Sequence, residues 1–422
     1  MTRAVVATQL VLAAAIAHAD PVPGPGPVEA APVTARPTLT RRGWAVDLSG
    51  YVQVDAVAWS QRSVDELGAD GAPRNEERVL IRRGRLRAEA HRGRVRTAIE
   101  FDGNTTSGAT ARLLAANVSY AVSPYATLTA GLFRTPFGVE VPMAERTKPF
   151  LEPPTFARAL VPGNYDAGAM VSGGYALVRW SAGVVNGAPV GDARWHGSDP
   201  SSSHDLVGRI GAVVPGPRKF WVEGGVSGLA GSGFHAGSPA TKDDLQWTDD
   251  NGDGLVNASE LTVVPGSPAT PSAKYDRTAL GGDLAVHWCF CRLGEGVAYV
   301  EAVVATNLDR GVIYADPVAS SRDLRHAGFQ LGVVQTVTKY ARVGVRYDRY
   351  DADRDANEVE GVHLVGIDKT FTTLSLMASA HWHDARLLAE YDHERNPFGR
   401  GDDGTPTTRA SDRLTLRAQV EF

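Results

Sequence analysis

The 422-residue sequence predicts an all-β fold, a 16-stranded antiparallel transmembrane β-barrel with short periplasmic turns and long extracellular loops. Three observations lead to this fold class: a strictly alternating final strand, alternating segments repeated along the chain, and connections that are short and long in turn. The mean hydropathy of -0.18 is low for a membrane protein. It fits a barrel, because half of the strand residues of a barrel face water.

The last ten residues alternate between apolar and polar side chains. Successive side chains of a strand point to opposite faces, so this segment has one apolar and one charged face. The apolar face comprises Leu414, Leu416, Ala418, Val420 and Phe422. A soluble β-sandwich also alternates, but it rarely ends on an exposed aromatic residue. The final strand of an outer-membrane barrel faces lipid and often does.

Sixteen segments with a period of two residues occur between residues 44 and 422. A closed antiparallel barrel with both termini in the periplasm requires an even number of strands. Turns of a few residues alternate with long connections at 61–77, 103–111, 135–166, 188–204, 230–276, 308–325, 351–369 and 394–411. This asymmetry is typical of porins, whose turns are periplasmic and whose loops are extracellular.

Residues 1–19 predict a signal peptide that is cleaved on export, because a short apolar run precedes the motif Ala17-His18-Ala19. An uncleaved anchor is disfavoured by the prolines that follow. Residues 20–43 predict an extended, Pro-rich periplasmic linker, and residues 44–422 predict the barrel. We therefore expect a multi-pass protein of the Gram-negative outer membrane, in contact with its lipid. The only cysteines, Cys289 and Cys291, are too few for a disulfide scaffold.

A specific pattern occurs at Gly131-Leu132-Phe133-Arg134-Thr135-Pro136-Phe137-Gly138-Val139-Glu140, and an arginine-rich hairpin precedes it at 79–102. Both are similar to the phosphate-selective porin O/P family, and the similarity covers most of 44–422, with diverging extracellular loops. The resemblance implies a homotrimeric outer-membrane channel of 16 strands with an anion-binding lumen. Small anions or other small solutes are then the expected partners, and nucleic acid is not.

The arginines of the hairpin are predicted to face the lumen by their phase. Arginine rings favour anion and phosphate pores, because the planar, permanently charged guanidinium binds oxyanions through two donors. The predicted anion pathway comprises Arg83, Arg85, Arg87, Arg94, Arg96, Arg134, Arg146 and Lys148. Acidic residues share the inward phase, namely Asp47, Asp55, Glu89, Glu100, Glu223, Asp283 and Glu301. The alternative is therefore a charge-balanced lumen and a weakly selective general porin.

The connection 135–166 follows the family-like pattern and carries charged residues throughout. Long loops without periodic structure are usually functional or disordered. We expect this one to fold into the lumen and to bring Glu140, Glu145, Arg146, Lys148 and Arg158 near the constriction. The alternative is an external loop with solvated charges. Lys148 is the only lysine here, so the lysine cluster of phosphate-specific relatives has no equivalent.

The longest connection, 230–276, contains a 12-residue segment that fits the EF-hand calcium loop at every diagnostic position. The predicted metal ligands are Asp249, Asn251, Asp253, Leu255, Asn257 and Glu260. Gly254 occupies the sharp turn, and Pro265 leaves little room for an exiting helix, so a paired EF-hand is not expected. The alternative is an acidic surface loop. A single calcium ion, ordering the loop, is the only cofactor predicted.

Taken together, the sequence predicts a porin for passive diffusion of small hydrophilic solutes that prefers anions, with phosphate as a candidate. A general porin, an adhesin and a structural barrel are the alternatives. Catalysis is not expected, because neither G-x-S-x-G nor H-E-x-x-H accompanies the strand histidines His287, His381 and His383.

Overall fold

The computed structural model describes residues 38–60, 77–106, 108–188, 204–217, 219–290, 293–360, 362–400 and 406–422. Its main sheet closes as a 16-stranded antiparallel barrel, which confirms the predicted fold class. The barrel strands are β2 (Trp44–Trp59), β3 (Arg78–Arg92), β4 (Val95–Asn104), β5 (Thr110–Ser123), β6 (Ala126–Arg134), β7 (Tyr165–Tyr175), β8 (Val178–Val185), β9 (Asp205–Pro215), β10 (Trp221–His235), β13 (Ala273–Phe290), β14 (Gly294–Thr306), β15 (Arg325–Thr338), β16 (Ala341–Asp351), β19 (Thr370–Trp382), β20 (Ala385–Arg400) and β21 (Pro406–Glu421).

A short strand, β1 (Thr38–Arg41), precedes the ring and pairs with the start of β2. The turn between them uses Arg42 and Gly43, both with positive φ, as a two-residue hairpin turn requires. The described residues thus begin at Thr38, inside the predicted linker. The predicted signal peptide lies outside the described residues.

The extracellular connections carry elements that the alternation of the sequence did not predict. The longest one contains a hairpin of β11 (Asp244–Trp247) and β12 (Leu261–Val264), with a 3-10 turn at Ala258–Glu260. A later one contains the hairpin of β17 (Asn357–Glu360) and β18 (His363–Gly366). These strands have only four residues each, too few for a period to show.

The strands alternate between an exposed apolar outer face and a polar inner face. Leu86, Ile99 and Phe101 are among the exposed outer residues of β3 and β4, whereas Arg85 and Glu100 are buried inside. The segregation reflects the two solvents of such a barrel, lipid outside and water inside. In the described part of the chain, no helix is long and apolar enough to cross a membrane.

The barrel closes between β2 and β21, in the register Tyr51↔Glu421 to Trp59↔Arg413. Phe422 completes the seam: its N–H donates to the Gly50 carbonyl (3.0 Å), and its own carbonyl accepts from the Gly50 N–H (2.9 Å). The Phe422 ring covers Gly50, where a Cβ atom would lie 2.4 Å from the ring and 2.6 Å from the Arg85 carbonyl oxygen. Glycine, which has no Cβ atom, is therefore the residue that fits at position 50 when the barrel closes in this way.

We expect Gly50→Ala to destabilise the closed barrel by about 1–3 kcal/mol, the usual cost of overpacking a close contact. The midpoint temperature of unfolding, read as heat-modified migration in a detergent gel, should fall. Gly228→Ala is the matched control, because a Cβ there meets nothing within 4 Å. Equal midpoints for both variants would contradict the proposed role of Gly50.

Candidate functional site

Residues 135–164, here called the inserted loop, connect β6 to β7 and fold into the barrel. Phe137, Phe150 and Phe156 are each at most 4 % exposed, although they lie in a connection between strands. The short helix α1 (Thr155–Leu160) packs against β15 and β16 from within. The main apolar cluster joins this loop to inward residues of β10, β13, β14, β16 and β19. The expected inward path of the loop is therefore what the structure shows.

The loop crosses to the opposite wall immediately after the family-like pattern. Gly138 donates its N–H to the hydroxyl of Ser227 (2.9 Å), and Glu301 accepts from the N–H groups of Val139 (3.0 Å) and Glu140 (3.4 Å). Gly138 has φ of 64°, and a Cβ there would lie 1.9 Å from the Glu301 carboxylate. Glycine is the residue that tolerates both conditions.

Glu152 connects the loop to strands from both sides of the seam. Its carboxylate binds Arg82 (2.8 Å), Arg83 (3.0 Å) and Arg417 (3.0 Å), and its backbone carbonyl accepts from Arg346 (2.8 Å). Two consecutive arginines reach it because the pairing of β2 with β3 shifts by one residue, from Gln53↔Arg83 to Val54↔Ile81. Such a bulge turns neighbouring side chains to the same face.

Further bonds fix the middle of the loop to the last strands. Arg386 donates to the carbonyls of Lys148 (2.8 Å) and Pro149 (2.7 Å). The loop backbone in turn donates to wall carboxylates, from Leu151 to Glu390 (2.8 Å) and from Thr155 to Asp348 (3.1 Å). Arg146 pairs with Glu421 at 2.9 Å. The loop is thus bonded to the wall along most of its length.

The surrounding cations keep the two loop carboxylates ionised. Burial raises the pKa of Glu145, but Lys148, Arg83 and Arg85 outweigh it and lower that pKa to about 2. The pKa of Glu152 likewise lies well below its usual range, because Arg82, Arg83 and Arg417 outweigh burial. Both carboxylates therefore stabilise the loop above about pH 4.5. That contribution is lost only as the pH falls toward these lowered values.

The innermost residues of the predicted anion pathway are paired with acids. Arg83 is 2 % exposed and lies between Glu152 and Glu145 (3.5 Å). Arg85 lies 3.3 Å from Asp102 and 3.5 Å from Glu100. Both arginines are buried and paired with acids, so these carboxylates largely neutralise their charge at short range.

Three further arginines of the predicted pathway, Arg87, Arg94 and Arg96, lie toward the periplasmic end of the barrel. Arg87 bridges Glu89 (3.2 Å) and Glu100 (3.0 Å), and Arg96 pairs with Glu89 (3.2 Å) while 65 % of its side chain stays exposed. Arg94 donates only to the carbonyl of Val122 (3.4 Å) among the bonds of the described residues. These three arginines are not brought to the inserted loop.

The remaining predicted cations belong to the loop or its start. Arg134 lies over the ring of Tyr165 (5.1 Å). Lys148 is 1 % exposed, with its Nζ 3.3 Å from Glu140 and 3.1 Å from Glu145. Arg83, Arg85 and Lys148 thus surround Glu145 in one buried cluster.

Three residues anchor the loop in a role that the sequence did not predict. Glu152 and Arg346 lie in segments similar to the porin O/P family, but neither was assigned to the loop or to the pathway, and Arg386 was not singled out. Arg417 pairs with Asp55 at 2.7 Å, across the seam of the barrel. The inward phase of Arg346 and Arg386 was readable from the alternation of β16 and β20. Their partners were not, because these depend on the path of the loop.

The calcium-type loop joins β11 to β12 and has the internal bonds of an EF-hand loop. The Asp249 carboxylate accepts from the N–H groups of Gly252 (2.8 Å), Asp253 (3.2 Å) and Gly254 (2.9 Å). The Asn251 side chain accepts from Asp253 (2.8 Å). Gly252 and Gly254 both have positive φ.

The last predicted ligands close the same loop. Glu260 accepts from the backbone of Asn257 (3.3 Å) and the indole of Trp247 (3.2 Å). Asp253 accepts from the N–H of Leu255 (2.7 Å). The exit continues into β12 rather than a helix. Among the described residues, no group of three or more His, Cys, Asp or Glu side chains lies close enough together to hold a metal ion.

The strand histidines have structural surroundings. His287 stacks on Trp221 and bonds to Glu223 (2.9 Å). His381 lies 3.3 Å from the hydroxyl of Ser379, but its charged neighbours are two arginines rather than an orienting carboxylate. A Ser–His nucleophile needs such an acid to orient the base. Cys289 is a free cysteine, and Cys291 lies outside the described residues.

We expect Glu152→Ala to release the inserted loop, because it leaves the buried Arg83 and Arg417 without this partner. Breaking a buried ion pair costs about 3–5 kcal/mol, so the unfolding temperature should fall and single-channel conductance in a planar bilayer should rise. Glu295→Ala is the control, since the Glu295 carboxylate has no hydrogen bond or ion pair in the described part of the chain. Unchanged conductance and unfolding temperature would show that Glu152 does not hold the loop.

No protein-family model and no curated protein matches the chain. Solved structures do match it, each at low sequence identity. The outer membrane channel DcaP of Acinetobacter baumannii is 12% identical, with a TM-score of 0.56 over 91% of this chain and 99% of that chain. OmpT, an outer membrane protein of Vibrio cholerae, is 11% identical, with a TM-score of 0.51 over 91% and 99%. The anion-selective porin from Comamonas acidovorans is 12% identical, with a TM-score of 0.50 over 90% and 100%. This chain therefore has the barrel fold of outer-membrane channels and porins.

Proposed function

We propose that the protein is an outer-membrane porin for passive diffusion of small hydrophilic solutes, with a preference for anions. One observation carries the proposal: a loop of about thirty residues folds into a closed barrel and is bonded to its wall along most of its length. Such a loop narrows the lumen at one depth and places charged groups there. A barrel that served only as a scaffold or an adhesin would have no need of it.

Export through a cleaved signal peptide and assembly as a homotrimer belong to the same proposal. The short apolar run before Ala17-His18-Ala19 supports the first. The occurrence of a trimer form of OmpT of Vibrio cholerae, a protein with the same fold, supports the second. Membership of the phosphate-selective porin O/P family remains a prediction from the sequence pattern.

The ion pairs between arginines of the barrel wall and nearby carboxylates favour a second candidate function, a weakly selective general porin. Arg83, Arg85 and Arg87 each contact a carboxylate within 3.5 Å, so they contribute little net field to the lumen. Lys148 is enclosed by two carboxylates. Phosphate selectivity, if the protein has it, must therefore come from cations other than these four.

Calcium binding in the long extracellular loop is a separate proposal. The chemistry of the donors fits, because carboxylate, amide and backbone oxygens are the ligands that calcium prefers. The Asp249 carboxylate is already held over the turn by three backbone N–H groups. The ion would order the hairpin of β11 and β12, with an affinity on the order of 0.1–1 mM, as in extracellular modules.

We expect the purified protein to form channels in a planar bilayer, with a reversal potential in a potassium chloride gradient whose sign shows chloride preference. A potential near zero would favour the general porin, and clear cation preference would contradict anion selectivity. Complete absence of conductance by folded protein would overturn the porin itself and favour the adhesin or structural barrel.

We expect terbium, a luminescent calcium analogue, to bind the long loop and to be displaced by calcium. Trp247, which donates to Glu260, is placed to sensitise its emission. Asp249→Asn should abolish the signal, because it removes the first ligand. Asp250→Asn is the control at the adjacent position, which supplies no ligand in this motif. Equal emission from both variants, or none from the unmodified protein, would contradict calcium binding.

A further inference from the structure

A group of cations without carboxylate partners lies inside the barrel near its periplasmic end. Arg342 of β16, His381 of β19 and Arg386 of β20 have the inward phase of their strands, because the residues of the same parity farther along, including Arg346, Ser379 and Glu390, are buried. They are adjacent in the sheet, where Arg342 pairs with Ser379 and His381 with Arg386. None of them belongs to the pathway predicted from the sequence.

Neither guanidinium is neutralised in the part of the chain that the structure describes. Arg342 has no side-chain hydrogen bond or ion pair there, and Arg386 donates only to the neutral carbonyls of Lys148 and Pro149. The Nε of Arg386 is buried and has no partner. His381 lies on the strand between them, with its Nε2 3.3 Å from the Ser379 hydroxyl.

Neither of the acids near this group forms an ion pair with Arg342 or Arg386 in the described part of the chain. The charged residues near Arg386 are Arg342, Arg417, Glu390 and Glu421. Glu421 binds Arg146 (2.9 Å) and the amide of Gln419 (2.8 Å). Glu390 accepts from the Leu151 N–H through Oε2 (2.8 Å), and its Oε1 is buried without a hydrogen-bond partner among the described residues. Arg342 and Arg386 lie on either side of β19, and like charges at such positions repel each other unless an anion compensates them.

We propose that Arg342, supported by the positive charge of Arg386, forms a binding site for a small oxyanion at the periplasmic side of the inserted loop. Both Nη groups of Arg386 donate to loop carbonyls, so Arg342 supplies the free donors. Guanidinium groups bind carboxylate or phosphate oxygens through two parallel donors. The half-buried side chain of Arg342 can hold such an ion without trapping it, which conduction requires. The inference rests on the proposed porin function and assigns its anion preference to these residues rather than to the arginine-rich hairpin.

The test is block of chloride current by inorganic phosphate in a planar bilayer, with the full-length protein. Arg342→Ala should weaken block by roughly three- to tenfold, the effect expected for losing one charge-assisted hydrogen-bonding partner. The reversal potential should shift away from chloride preference. Arg342 forms no hydrogen bond or ion pair with the inserted loop in the described part of the chain, so we expect its replacement to leave the loop in place and the single-channel conductance in chloride similar.

Two further variants make the outcome decisive. Arg349→Ala, an exposed arginine of opposite phase on the same strand, should leave block and selectivity unchanged. Arg342→Lys keeps the charge but loses the fork, and should weaken block while retaining chloride preference. If the unmodified protein conducts, and phosphate blocks the Arg342→Ala and Arg349→Ala channels equally, the proposed anion site is refuted but the proposed porin function is not. If the unmodified protein does not conduct, the porin proposal fails first.

Discussion

The arrangement of the lumen depends on one constraint, the carboxylate of Glu152 held among Arg82, Arg83 and Arg417. The first two arginines come from β3 and the third from β21, which lie on either side of β2 in the closed ring. A single loop residue therefore ties together the strands next to the seam. Because the loop backbone is also bonded to β16 and β20, the interior is a connected polar network.

Such a network limits how the pore can select ions. A buried charge must be paired or it costs several kcal/mol, and the inserted loop supplies carboxylates where the wall supplies arginines. Most of the arginines that look like an anion ladder in the sequence are thus paired with acids: Arg83 holds the loop, and Arg85 and Arg87 pair with acids of the wall. The cations that can attract a solute anion are those without an acidic partner. Arg342 and Arg386, near the periplasmic end, are of this kind among the described residues.

The outer surface follows a simpler rule, since every lipid-facing position needs only to be apolar and to fit its neighbours. Phe422 does both: it is 54 % exposed, and it covers Gly50 across the seam. The terminal aromatic residue that first indicates the fold class is also the last pairing residue of the barrel. Its hydrogen bonds with Gly50 join the two ends of the ring.

Alternation by itself determined the strand number, the inward phase of Arg83, Arg85 and Arg417, and the existence of a long connection after β6, because strand periodicity is a local property. The four-residue strands of the loops and the helix α1 could not be predicted, since they are too short to show a period. Only the tertiary structure decided which acid each arginine meets. Gln53 bonds to Gln419, 366 residues away, at 2.7 Å, and contacts of this kind follow from strand register, the bulge at Arg82 and the path of the loop. Whether a lumen arginine holds the protein together or faces a solute is therefore a property of the closed barrel and not of the strand that carries it.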